Sequence, residues 1–318
     1  MATTLKEYSS LEEKRSMFTE HFIVNDKHQL RELIDQLEKL QSKKKEKYLF
    51  RGVSEAKYKL YTSFQRLWID RDLNQTSKNH IECIAKMINK CSVKDSLIFC
   101  YYKRLGVICN DWLILSFLQH YGAATPLLDF SRDPYVALFF ACDDISYKGS
   151  AKAIDHYVSI YYYKAVNVAQ KIAPSIYKIA QKKANRYANY AGQDFWKTDL
   201  SFTQISSEYP ICIIPAYSNL SSISNETRTL ITEYTVSNLN STVQNGEFIC
   251  NVDEVTPLEE LLVYGDKKYL TCIDIHKGLV EHLIEEYLGG SIAVARKKYY
   301  PDEKEIAKQV QTQMLSEL

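Results

Sequence analysis

One stretch limits what this chain can fold into more than any other: Gln119-His120-Tyr121-Gly122-Ala123-Ala124-Thr125-Pro126-Leu127-Leu128-Asp129-Phe130-Ser131-Arg132-Asp133-Pro134. Its polar and ionisable side chains lie between two apolar runs, Trp112 to Leu118 and Val136 to Phe140, so they must sit close to a core. Polar groups there are costly unless they pair with one another or bind something. The stretch carries its own punctuation. Gly122 permits a left-handed ending for the helix before it. Asp133 suits an N-cap, and Pro134 suits the first position of the next helix. The pattern predicts a helix, an irregular polar loop and a second helix.

Around this stretch the chain reads as a compact mixed protein. Its 318 residues can bury a large core. Forty basic against thirty-nine acidic residues leave a net charge of +1, which supplies no electrostatic pull on a polyanion, so a nucleic-acid partner is not expected. Met1 to Glu7 lacks the apolar core of a signal peptide, and no apolar run reaches membrane-spanning length. A cytoplasmic protein without a membrane partner is expected. The eight cysteines form no Cys-x-x-Cys pair and sit among apolar neighbours, as reduced core thiols do. No metal site is expected, since His276 and His282 are six apart and would face different sides of a helix.

In chain order, Phe22-Ile23-Val24 is a short strand, and Asn25 or Asp26 caps a helix whose Leu30, Leu33, Ile34, Leu37 and Leu40 share one face. Tyr48-Leu49-Phe50-Arg51-Gly52 reads as a strand ending on an arginine and a glycine. That arginine is a fork for a carboxylate or phosphate, and the glycine admits a close backbone or ligand. The alternative for Arg51 is an internal ion pair, for instance with Asp129. Tyr58 to Trp68 continues the segment with no chemistry of its own. From Ile81 to Leu118 the pattern is helical. Strands are expected at Tyr157 to Tyr163, Ile211 to Pro215, Phe248 to Cys250 after a turn at Gln244 to Gly246, and Leu270 to Ile275. An edge strand is expected near Leu230 to Val236, a helix at Lys277 to Leu288 closed by Gly289-Gly290, and a final helix from Asp302. A helical insertion broken at Pro174 fills 165–192, and Lys171, Lys178, Lys182, Lys183 and Arg186 there are either an alternative basic binding face or, as most such faces are, simply solvated. The division is an N-terminal strand-helix extension at 1–47 and one domain at 48–318. The fold class is mixed α/β (α+β), with long helical blocks between scattered strands.

The segments Leu49-Phe50-Arg51-Gly52, Gln119-His120-Tyr121-Gly122 with Leu127-Leu128-Asp129 and Val136 to Ala141, and Gln244-x-Gly246-x-Phe248 occur in the order seen in the FRG domain family, which this chain resembles from about Tyr48 onward. Two arginines usual in that family are missing. One precedes the Leu-Leu-Asp motif, where this chain has Pro126, and the other precedes the Gln-x-Gly-x-Phe turn. If either arginine grips a substrate anion in that family, this chain either uses another cation, such as Arg132 or Arg228, or has lost the activity.

The strand ending in aromatic-Arg-Gly is also similar to the first motif of ADP-ribosyltransferases, where the arginine holds NAD. That resemblance implies a mixed split sheet flanked by long helical segments, NAD as cofactor, and a glutamate that stabilises a ribosyl cation, for which Glu247 is the candidate. The expected site joins Arg51, Gly52, Tyr121, Asp129 and Gln244 as ligand-binding residues with His120 and Glu247 as catalytic ones, in a pocket for a nucleotide-type small molecule. Arg51 would hold a phosphate, His120 would move a proton near neutral pH, and Tyr121 would stack on a ring. The competing expectation is a non-catalytic sensor or interaction module with a protein partner, of the kind linked to anti-phage defence. In it His120, Tyr121 and Asp129 are only an internal network. Whether chemistry occurs is left open at this level.

Overall fold

The computed structural model describes residues 4–43, 46–105, 109–146, 151–171, 173–176, 178–179, 201–215, 222–223, 230–231, 243–300 and 311. Seven strands form one mixed sheet: β1 (His21–Val24), β2 (Tyr48–Val53), β3 (Leu127–Ser131), β4 (Tyr157–Lys164), β5 (Ile211–Pro215), β6 (Gly246–Asn251) and β7 (Thr271–His276). Their order across the sheet is β1-β7-β4-β2-β3-β6-β5. Only β1 and β7 pair in parallel. The expected mixed α/β class holds. The sheet is continuous, but its middle is weak: β2 pairs with β4 over six residues and with β3 through Phe50 and Ser131 alone. Beyond that pair the two strands part, and a cleft lies in the gap.

Local sequence explains the helices that flank this seam. They are α1 (Leu11–Arg15), α2 (Lys27–Ser42), α3 (Ser63–Asp70), α4 (His80–Ser92), α5 (Leu97–Arg104), α6 (Asp111–His120) and α7 (Pro134–Cys142). Asp26 caps α2 by accepting from the Gln29 amide, and Leu30, Leu33, Ile34 and Leu37 turn one stripe inward. Thr62 and Gln65 form a reciprocal capping box on α3. Pro134 begins α7 behind an Asp133 cap, and Gly122 takes φ +80 beyond α6. The apolar residues of α7 run all round it because it is buried on nearly every side.

On one face, α2, α7 and the helix Val280–Tyr287 cover β1, β7, β4 and β2, with Phe50, Leu138, Phe139, Ile160 and Ile273 in that core. On the same face of the other half, α3, α4, α6 and the helix Phe202–Glu208 cover β3, β6 and β5 through Trp68, Ile84, Trp112, Phe202, Leu127 and Phe248. The cleft opens between these two helical layers. The opposite face buries Leu49, Tyr161, Leu128, Phe130 and Ile249 beneath Tyr8, Phe18 and the short helix Leu258–Leu261.

Glycine at position 52 is required by packing. A Cβ there would lie 1.8 Å from the Ala137 carbonyl oxygen and 2.6 Å from the Ala141 nitrogen, both main-chain atoms of α7. Gly52→Ala should therefore destabilise by about 1–3 kcal/mol as α7 is pushed off β2. A denaturation midpoint equal to that of the wild type would refute this.

The structure corrects several expectations. The predicted loop between the two central helices holds β3, whose Leu127, Leu128, Phe130 and Ser131 are buried while Asp129 is half-buried. A run buried on both faces has no alternation to reveal it. The helical pattern from Ile81 to Leu118 is borne out by α4 and α6, and a further helix, α5, lies between them. The last helix described is Ile292–Tyr299, and the helix expected from Asp302 lies outside the described residues. Of the insertion, the helix Ala165–Lys171 is described, and 180–200 lie outside. Leu230–Ile231 pairs with Ser222–Ile223, apart from the main sheet, and 232–236 lie outside the described residues. Among the described residues no helix is long and apolar enough to cross a membrane.

Candidate functional site

Where β2 and β3 part, the cleft widens into a cavity of about 270 Å³. Its apolar wall includes Phe50, Val136, Ala137, Phe140 and Phe248, and its polar wall includes Arg51, Arg66, His120, Asp129 and Gln244. Two far-separated segments of the chain, one with Arg51 and one with His120 and Asp129, thus reach the same hollow.

Arg51 enters from the seam. It pairs with Tyr161 across the β2–β4 ladder, while its guanidinium extends the other way, and Nη1 donates to the Asp129 main-chain carbonyl at 2.6 Å. This bond stands where a ladder bond would be had the strands stayed together. The same Nη1 is 3.9 Å from Asp129 Oδ2, too far for a hydrogen-bonded pair. The buried Nε of Arg51 has no hydrogen-bond partner among the described residues. Burial pulls the Arg51 pKa below its ordinary value; Asp129 opposes this and Arg66 adds to it. A guanidinium nevertheless stays charged at neutral pH.

His120 ends α6 and meets Phe248 edge-on at 5.8 Å between ring centroids. Burial lowers its pKa against the opposing charge of Asp129. Asp129 accepts from Gln119 Nε2 at 2.6 Å. Arg66, on the outer side of α3, lines the cavity with no ion pair among the described residues, and Asp70 is the carboxylate that acts on it. The sequence reading passed over Arg66 and Tyr58, both on the cavity wall. The Thr62-x-x-Gln65 capping pattern was the available signal, since it sets a helix there with Phe64, Gln65, Trp68 and Ile69 inward and Arg66 outward.

The structure separates the other expected residues from the cavity or gives them a packing role. Tyr121 caps α6, is 62% exposed and leans on Phe117 at 4.5 Å, outside the cavity. Gly52 lies on the wall, but the close approach it permits is that of α7. Gln244 also lies on the wall, yet its side-chain amide donates to the Tyr299 carbonyl at 3.0 Å and its main-chain carbonyl accepts from Ser131 Oγ at 2.6 Å. Glu247 sits between Gly246 and Phe248 on β6, so alternation sends it to the opposite face. There its carboxylate takes the Arg132 guanidinium, Nε at 2.8 Å, and Arg132 is no longer a spare cation. Arg228, Lys182, Lys183 and Arg186 lie outside the described residues.

No curated protein matches this chain, and no solved structure does. A family model for the FRG domain matches residues 46–149, the segment from the start of β2 to just beyond α7. That segment supplies Arg51, Arg66, His120, Asp129 and the α7 wall, while Gln244 and Phe248 close the cavity from outside it. The segment that builds most of this cavity is thus the one similar to the FRG domain.

Proposed function

We propose that the cavity binds an anionic small molecule of nucleotide type, with Arg51 and Arg66 on its phosphate and the aromatic wall against its ring. The observation that carries this reading is the buried Arg51 Nε with no partner beside a second guanidinium that forms no ion pair among the described residues. A buried donor without an acceptor costs about 1–3 kcal/mol, a cost that a bound anion removes. The cavity of about 270 Å³ lies at the small end of the roughly 300–1,000 Å³ typical of ligand pockets. That size suits a mononucleotide or one half of a dinucleotide.

Binding is favoured over ADP-ribosyl transfer from NAD. The transfer needs a carboxylate beside the ribosyl carbon, whereas Glu247 is ion-paired to Arg132 and does not line the cavity, and Asp129 is engaged by Gln119. Calorimetry against AMP, ATP and NAD tests the reading. Arg66→Ala should weaken the bound nucleotide about 10- to 100-fold, the equivalent of one charge-assisted contact, and leave the melting temperature unchanged because Arg66 is exposed. Absence of heat from every nucleotide with the wild-type protein would sink the proposal. Release of nicotinamide from NAD would restore the transfer reading.

A further inference from the structure

We propose that Gln119 is a positioning residue that keeps the Arg51 guanidinium open to an anion by holding the Asp129 carboxylate away from it. The inference builds on the reading of the cavity as an anion site. An arginine facing an aspartate ordinarily closes to a forked pair with N···O distances of about 2.7–2.9 Å. Here the carboxylate stays at 3.9 Å from Nη1, and the oxygen that would close that gap, Oδ2, accepts instead from Gln119 Nε2 at 2.6 Å. Were the pair to close, the Nη1 edge of the guanidinium would be lost to a ligand.

The orientation of the Gln119 amide follows from its neighbours. Thr125 Oγ1 accepts from the Leu127 main-chain N–H at 3.3 Å, which directs its own proton to Gln119 Oε1. The oxygen of the amide is thereby committed to Thr125 and its NH₂ group to Asp129. Thr125 is anchored in turn. Its N–H donates to Ser63 Oγ at 2.9 Å, and its carbonyl accepts from the Phe64 N–H at 3.0 Å. Both partners belong to the first turn of α3, the helix that carries Arg66. One chain of hydrogen bonds therefore sets the Asp129 carboxylate and ties it to the helix bearing the second cation. Gln119 and Thr125 are not on the cavity wall, so neither touches a ligand there. This also accounts for the order Gln119, Thr125, Asp129 within the central stretch.

The test uses Gln119→Met, with Thr125→Val added so that no hydroxyl is left without its acceptor, and inorganic phosphate as the calorimetric probe. A crystal structure of the double variant should show the Asp129 carboxylate closed onto Arg51 Nη1. Phosphate affinity should fall about tenfold, the scale of one redirected charged contact. In an Asp129→Asn background the same substitutions should cost nothing, because no carboxylate remains to close. A purely structural role for Gln119 would weaken both backgrounds equally. The proposal is overturned if the carboxylate stays near 3.9 Å or if the loss persists in the Asp129→Asn background. Should the carboxylate close while the wild-type protein binds no phosphate, the positioning role stands and the binding reading fails.

Discussion

Lys14→Met is expected to cost the fold about 3–5 kcal/mol, the usual penalty for removing one member of a buried ion pair. Lys14 belongs to α1 and is fully buried. Its Nζ lies 2.6 Å from Asp274 Oδ1 and 2.6 Å from Ser159 Oγ, and His21 Nε2 takes the second carboxylate oxygen at 2.7 Å. Asp274 and Ser159 face each other across β7 and β4, so the ammonium pins the N-terminal segment to the middle of one half-sheet. Burial alone would pull the Lys14 pKa down, and its neighbours Cys272, Tyr161 and Asp274 outweigh that and hold it up. Burial would likewise raise Asp274, but Lys14, His21 and Ser159 bring it below the ordinary carboxylate value. A depressed carboxylate stabilises above its unfolded pKa, and that contribution is lost as the pH falls through the folded one.

Donor atoms of His21, Cys272 and Asp274 lie within 4.8 Å of one another, a set that can hold a metal ion. The cation found on Asp274 is the Lys14 ammonium. Urea denaturation of Lys14→Met, Asp274→Leu and the double variant measures the coupling. The double variant should recover part of the loss, since an apolar replacement of the whole pair leaves no orphaned charge. A cost under about 1 kcal/mol for Lys14→Met would show that the segment is held by its apolar contacts alone.

The second large effect is in pH dependence. His80, the first residue of α4, is 1% exposed and meets Phe64 and Trp68 edge-on, each at 5.0 Å between centroids. Neither ring nitrogen has a hydrogen-bond partner among the described residues. Burial drives its pKa down to about 4, with Asp253 and the Val252 main chain offsetting only part. Between about 6.5 and about 4 the unfolded chain binds a proton that the folded chain refuses, so stability falls as the pH is lowered through that window. The lost contribution is on the order of 3 kcal/mol. His80→Leu removes the titrating group. Its denaturation midpoint should fall less between pH 7 and pH 4 than that of the wild type. Equal acid losses in the two proteins would rule this out.

Much of the scaffold was legible because it depends on near neighbours. The caps at Asp26 and Asp133, the proline that opens α7, the stripe on α2 and the left-handed Gly122 are set within a turn or two of chain, and so are the aromatic and β-branched runs of β1, β4, β5 and β7. The convergence of Arg51, His120 and Asp129 was inferred from the cost of placing polar groups beside a core.

The tertiary structure alone decided which of those groups would be satisfied. Register sets Glu247 against Arg132 and off the cavity wall, and places Asp129 on that wall. Helix packing assigns Gly52 to α7 rather than to a ligand. An exposed arginine on α3 reaches the cavity wall only because α3 is laid beside the seam. A lysine among polar neighbours in the sequence becomes fully buried because its carboxylate partner arrives from the other end of the chain. Periodicity and capping act over a few residues, whereas pairing, facing and burial depend on where distant strands align, and no local pattern records that alignment.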